Sequence, residues 1–237
     1  MTINGRAVLH KGIRIAEIFF FLSICPFLAA QDVLRGEICE EMEPVYAVHL
    51  GIPSPIDAST ATMWALEDAQ STFSAMIYGW SFDYTPANPS RSIEESINLI
   101  AQGEIPFGDE RMEVTDARRD NDLFFIWVDY ELSDSQKRRM RAWNSVTSFS
   151  AQAQGFGSLQ GETGIANRKL IKHGALEDAA KRAIKEKLRR MYKNRPMAAY
   201  GFIALSQFPI YKMKSGLWSA VAHFRIEIKT TEGYSVY

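Results

Sequence analysis

Apolar residues recur at three- and four-residue intervals near the C-terminal third of the chain. Leu176, Ala179, Ala180, Ala183, Ile184, Leu188 and Met191 form one stripe, the spacing of a helix with a single buried face. The pattern predicts a long helix from Ile165, stopped by Asn194, Arg195 and Pro196. A strand, a turn and a second strand then run to Lys229. In the second strand Trp218, Ala220, Ala222, Phe224, Ile226 and Ile228 share one side, and Ser219, His223, Arg225, Glu227 and Lys229 take the other. One covered face and one wet face suit an antiparallel sheet with helices on one side.

The first half carries similar signals. Gln31 to Pro55 reads as an irregular lead-in, with a short strand at Val45–Leu50. Asp57 or Ser59 can cap a helix through about Thr72, because their side-chain oxygens accept the free N–H groups of a first turn. From Ala75 to Tyr84 the chain alternates, with Met76, Tyr78, Trp80, Phe82 and Tyr84 on one side, and predicts a strand. Ser92–Gln102 reads as a short amphipathic helix ended at Gly103. Met112–Arg118 and Leu123–Leu132 predict a hairpin around Arg119, Asp120, Asn121 and Asp122. Phe124, Ile126, Val128, Tyr130 and Leu132 form the apolar side of its second strand. Ser133 or Asp134 can cap a helix to about Trp143. Ser145–Gly164, rich in Ser, Gln and Gly, reads as a linker.

The N-terminus changes the compartment. Arg6, Lys11 and Arg14 precede an apolar run of eleven residues, Ile18–Leu28, followed by Ala29 and Ala30. That is the layout of a secretory signal peptide, in a run too short to span a bilayer. A buried helix or a retained anchor is the bland alternative, and Glu17 and Leu28 depart from the usual pattern. Leu22-Ser23-Ile24-Cys25 resembles a lipoprotein signal with Cys25 as the lipidated residue, a minor alternative because Ile24 is large for its position. Export to the periplasm or envelope is expected, with mature chain from Gln31 and no membrane span in it. Only Cys39 then remains, which excludes an internal disulfide.

Composition fits a packed globular chain, 46% hydrophobic and 12% aromatic. Charge is divided unevenly. Gln31–Leu132 holds 20 acidic against 5 basic residues, a net of −15, and Ser133–Tyr237 holds 7 against 19, a net of +12. The bland reading is that the halves attract and pack. The sharper one is that Lys181, Arg182, Lys185, Arg189 and Lys193, opposite the apolar stripe, face an anionic partner such as an envelope protein or an anionic surface. Nucleic acid is not expected, since no stacking-aromatic motif accompanies the basic helix.

No sequence pattern commits the chain to chemistry. His49, His173 and His223 lack metal-ligand spacing, and Ser74, Ser81 and Ser158 lack a nucleophile-elbow context. Gly155-Phe156-Gly157 with Gly161 has the wrong spacing for a dinucleotide loop. Asp83, Asp129 and Glu131 fall on strands, Asp129 and Glu131 on the side of Trp127. Carboxylates so placed can do acid–base work, but a solvated sheet face also explains them. No cofactor or metal is expected.

Ala65-Leu66-Glu67-Asp68-Ala69 recurs as Ala175-Leu176-Glu177-Asp178-Ala179, each copy on a predicted helix leading into an aromatic strand. Chance among good helix formers and an internal duplication are both open. Ala179, Ala180 and Ala183 entering Ala199-Tyr200-Gly201-Phe202-Ile203 resemble a small α/β module of bacterial envelope lipoproteins and flagellar-assembly proteins. Met76-Ile77-Tyr78-Gly79-Trp80 with Pro86 and Arg91, Tyr130-Glu131-Leu132 with Arg138 and Trp143, and Asn194-Arg195-Pro196 resemble uncharacterised exported proteins of spirochaetes. The resemblance implies location and an assembly role, and brings no catalytic residue with it.

The expectation is an α+β fold of mainly antiparallel sheets with helices packed on one face, in two candidate related helix–strand–strand halves. The segments are a signal peptide (1–30), an acidic half (31–144), a linker (145–164) and a basic half (165–237). The expected function is a non-enzymatic envelope binding or assembly role; the alternative is an envelope hydrolase using carboxylates or a histidine on a sheet face.

Overall fold

The computed structural model describes residues 32–43, 55–144, 147–158, 165–214 and 217–234. The expected signal peptide, Cys25 and the Val45–Leu50 strand lie outside these residues. The element order is β1 (Val33–Glu41), α1 (Ala58–Ile77), β2 (Trp80–Thr85), β3 (Ser96–Ala101), β4 (Met112–Asp120), β5 (Leu123–Glu131), α2 (Asp134–Ala142), β6 (Phe149–Ser158), α3 (Ile165–Met191), β7 (Ala198–Leu205), β8 (Ile210–Lys214) and β9 (Leu217–Glu232). All strand pairs are antiparallel, so the fold is α+β. A small sheet runs β1-β5-β4, and a large one runs β3-β2-β7-β9-β6 with β8 also on β9.

The hairpin and the two capped helices follow the sequence pattern. Asp57 accepts from the Thr60 N–H at the start of α1. Ser133 and Gln136 form a reciprocal capping box at α2. Asn121 adopts a left-handed backbone between β4 and β5. Phe124, Ile126, Val128, Tyr130 and Leu132 are all buried.

α1 departs from expectation by continuing to Ile77 rather than ending near Thr72, so β2 begins only at Trp80. The cause is its position. α1 packs on β7 of the large sheet and on β1 and β5 of the small one, so it is buried on two sides and shows no single stripe. Its inward polar groups are satisfied: Gln70 donates to the Ile105 carbonyl at 2.6 Å, and the Ile105 N–H donates to Ser74 Oγ at 2.9 Å. Gly79, at φ +66°, then turns the chain into β2.

Three further corrections concern strands. Ser92–Gln102, expected as a helix, holds β3. Its spacing of Ile93, Ile97 and Ile100 fits a helix, but pairing with β2 puts Ile97 opposite Tyr84 and Leu99 opposite Phe82. The lead-in holds β1, whose alternation is hidden because Glu40 takes an inward position beside Leu34, Gly36 and Ile38. The expected linker holds β6, paired with β9 from Phe149↔Ile226 to Ser158↔Leu217. Its small residues are there because α3 lies directly on it. A Cβ on Gly155 would sit 2.1 Å from the Ala179 N and 2.2 Å from the Ala175 carbonyl oxygen, and one on Gly157 2.3 Å from the Ile171 carbonyl oxygen. Alanines at 175 and 179, both fully buried, complete a close backbone approach.

α3 and its buried stripe stand as expected from Leu176 to Leu188, with Ala183 and Ile184 in the core. Met191, at the last turn, is exposed instead. The basic half has one strand more than expected, since β7, β8 and β9 follow α3. Its helix–strand–strand unit meets the α1-β2-β3 unit at the central β2–β7 pair, where Phe82 lies opposite Gly201. Strands of the acidic and basic segments therefore share one sheet.

Candidate functional site

The two charged segments are joined by ion pairs. Lys137 meets Asp32 at 2.9 Å and Lys185 meets Glu95 at 2.9 Å. Lys172 of α3 reaches Asp68 of α1 at 2.5 Å and Glu40 of β1 at 3.3 Å. The Lys172 and Glu40 side chains are only 7% and 2% exposed. Charges so desolvated persist only when paired, and this cluster ties α3 to α1 and the small sheet. The Tyr211 ring of β8 lies 5.3 Å from the ammonium.

The five basic residues expected to face a partner do not form one uniform surface. Lys181 and Arg182 both pair with Asp178, at 3.2 and 2.9 Å, and Arg182 also lies over the Phe156 ring of β6. Asp178 accepts from the Phe156 N–H as well. Burial opposes its charge, but these hydrogen bonds hold its carboxyl below the ordinary value. Lys181 and Arg182 thus help fasten α3 to β6. Lys193 is exposed beyond the helix end.

Lys185 and Arg189 lie elsewhere. With Arg195 they border a shallow, solvent-open hollow at the C-terminal end of α3, with about 30 Å³ of sheltered space. Its apolar walls are Pro86, Ala87, Leu188 and Pro196. Tyr84 on β2 and Glu95, just before β3, lie on the side of α3. The Tyr84 hydroxyl donates to Glu95 Oε1 at 2.7 Å, and Lys185 reaches the same oxygen at 2.9 Å. Burial and the carboxylate beside it push the Tyr84 phenol up. Burial opposes the charge on Glu95, yet the hydrogen bonds from Lys185 and Tyr84 hold its carboxyl below the usual value. The lining therefore sets three cationic side chains against one carboxylate, which Tyr84 and Lys185 both hold. Arg189 also meets Glu186 at 3.6 Å, but Arg190 holds that carboxylate more closely, at 3.0 Å.

Sequence reading found Lys185 and Arg189 but missed Arg195, Tyr84 and Glu95. In the sequence Arg195 reads as part of the helix stop, and Glu95 as part of a helix, where nothing aligns it with Lys185.

The residues of the hydrolase alternative lie apart. Asp129 pairs with Arg35 at 3.1 Å in an open hollow of the small sheet with Trp127. Glu131 is exposed at the end of β5, His173 is exposed on α3, and His223 is half-buried on β9. His49 is not among the described residues. Asp83 is exposed on β2, and Ser74 is committed to the Ile105 N–H. Cys39 is exposed on β1, yet partial desolvation by the surrounding surface, with the neighbouring Glu40, Glu41 and Glu37 charges, pushes its thiol up. Among the described residues no cluster of His, Cys, Asp and Glu could hold a metal ion. No helix among them is long and apolar enough to cross a membrane.

An α+β chain with this arrangement can be placed by comparison. A family model matches residues 25–234, and the chain belongs to that family, an uncharacterised family of spirochaete proteins. A relative from Treponema pallidum (strain Nichols), named "Uncharacterized protein", is 24% identical over 162 residues, 68% of this chain and 65% of the relative. The match thus spans a little under two thirds of that relative's length. No solved structure matches the chain.

Proposed function

We propose that this is an exported cell-envelope protein with a non-enzymatic binding or assembly role, and that the C-terminal part of α3 presents its basic side chains to an anionic partner. The observation that carries the reading is the grouping of Lys185, Arg189 and Arg195 around one solvent-open hollow. Long-range attraction adds to it, because the segment from Ser133 carries a net +12. The basic start and the apolar run Ile18–Leu28 support export.

The hydrolase alternative has less support, because Asp129, His173 and His223 do not converge on one pocket as a reaction would need. The binding role is tested at low salt with the full chain and vesicles of anionic or neutral lipid. Anionic vesicles should retain the protein and salt should release it, since surface fields are screened within about 10 Å at moderate ionic strength. Changing Arg189, Lys193 and Arg195 together to Gln should abolish retention while leaving the melting temperature in place. Equal behaviour toward neutral and anionic vesicles would count against the reading.

A further inference from the structure

The hollow at the end of α3 has a composition that selects among anions. Its charged side carries Lys185, Arg189 and Arg195 against Glu95, a net of +2. A phosphate monoester carries about −1.5 to −2 near pH 7 and offers three acceptor oxygens. A carboxylate would leave one of these cations uncompensated. Guanidinium groups present forked donors that match phosphate oxygens. Arg189 extends from α3 and Arg195 from the segment leading into β7, so the two approach from different elements. Lys185 is held by Glu95, which is itself held by the buried Tyr84 hydroxyl, so the ammonium is fixed in place. The same hollow is lined by Pro86, Ala87, Leu188 and Pro196. Such a wall gives nothing to a bare ion but shields an apolar stem from water.

We propose that this hollow is a binding site for an organic phosphate, a phosphate group on an apolar stem, with Arg189 and Arg195 on the phosphate and the proline and leucine wall on the stem. The proposal rests on the anionic-partner reading above and narrows it to one place and one ligand chemistry. The same chemistry occurs in phosphatidic acid, the phospholipid whose phosphate is a monoester, and in a small soluble phosphate ester.

The test is calorimetric titration of the full chain with hexyl phosphate, inorganic phosphate and 1-hexanol, alongside sedimentation with phosphatidic acid vesicles. Hexyl phosphate should bind at one site, at least roughly tenfold tighter than inorganic phosphate, because burying even two methylenes supplies that factor. The alcohol should not bind. R189Q/R195Q should weaken hexyl phosphate at least roughly tenfold, whereas K181Q/R182Q, outside the hollow, should leave it unchanged. Ala87→Phe, which fills the wall and touches no charge, should also weaken it. If vesicle binding falls with R189Q/R195Q, the ligand is a lipid; if only hexyl phosphate responds, it is a soluble ester; both outcomes support the site. Equal affinity for hexyl and inorganic phosphate, or equal loss in K181Q/R182Q, would overturn the site and leave the broader anionic-partner reading standing. Failure of every anionic probe at low salt would overturn both.

Discussion

Replacing Gly155 with alanine tests the β6–α3 contact most sharply, because two effects oppose each other and the structure decides which wins. In an open strand or a flexible linker, Gly→Ala stabilises by about 0.4 to 1 kcal/mol, since the unfolded chain loses freedom. At Gly155 the added Cβ would stand 2.1 Å from the Ala179 N and 2.2 Å from the Ala175 carbonyl oxygen. Those are backbone atoms of α3, so no side chain can swing away and the helix must shift. Overpacking of this kind costs typically 1 to 3 kcal/mol. With backbone on the receiving side the upper value applies, and the net effect is destabilisation of about 2 kcal/mol after the entropic gain. For a unit of this size that lowers the melting temperature by about 4 to 8 °C. Gly174 is the internal control. It lies within α3 and a Cβ there meets nothing within 4 Å, so Gly174→Ala should raise stability by up to about 1 kcal/mol. Both variants are read by thermal melts followed at the helix signal. A Gly155→Ala protein that melts at or above the parent would show that α3 does not rest on this strand.

Two further stability predictions follow from buried charge. Lys172→Met leaves Glu40 and Asp68 without their ammonium and should cost about 3 to 5 kcal/mol in urea melts, a cost that a second change, Glu40→Gln, should partly restore; no loss in the single variant would remove the cluster's structural role. Asp109, whose side chain is 11% exposed, is held down to about 2, chiefly by hydrogen bonds from Arg111. Its folded-state value lies below its unfolded one, so its contribution of about 1 to 2 kcal/mol is present above pH 4 and is lost as pH falls toward 2. Asp109→Asn should flatten that part of an acid-unfolding curve, and an unchanged slope would refute the assignment.

What was legible in the sequence was whatever had a single wet side. β5 and the stripe from Leu176 to Leu188 each bury one face, and their periods fixed element type and facing; β4, exposed along nearly its whole length, was legible from the turn residues that follow it. α1 lies between two sheets, so burial on both sides erased its period and its last turn resembled the start of a strand. β1 was hidden by Glu40, an inward carboxylate that makes sense only with Lys172, distant in the chain. β6 was hidden by its own fitness: Ala151, Ala153, Gly155 and Gly157 are small because α3 comes close, and small residues in a row read as linker. The hollow at the end of α3 was half legible. A helical wheel places Lys185 beside Arg189, but Glu95, Tyr84 and Arg195 arrive from the residue before β3, from β2 and from the segment after the helix, by pairing that no local pattern encodes.

Export is the foundation of the proposed role, and it has a direct measurement. Native protein recovered separately from cytosolic and envelope fractions can be sequenced from its N-terminus. Export with cleavage after the small residues Ala29 and Ala30 requires an envelope species that begins near Gln31. Protein found in the cytosolic fraction and beginning at Met1 or Thr2 would contradict it.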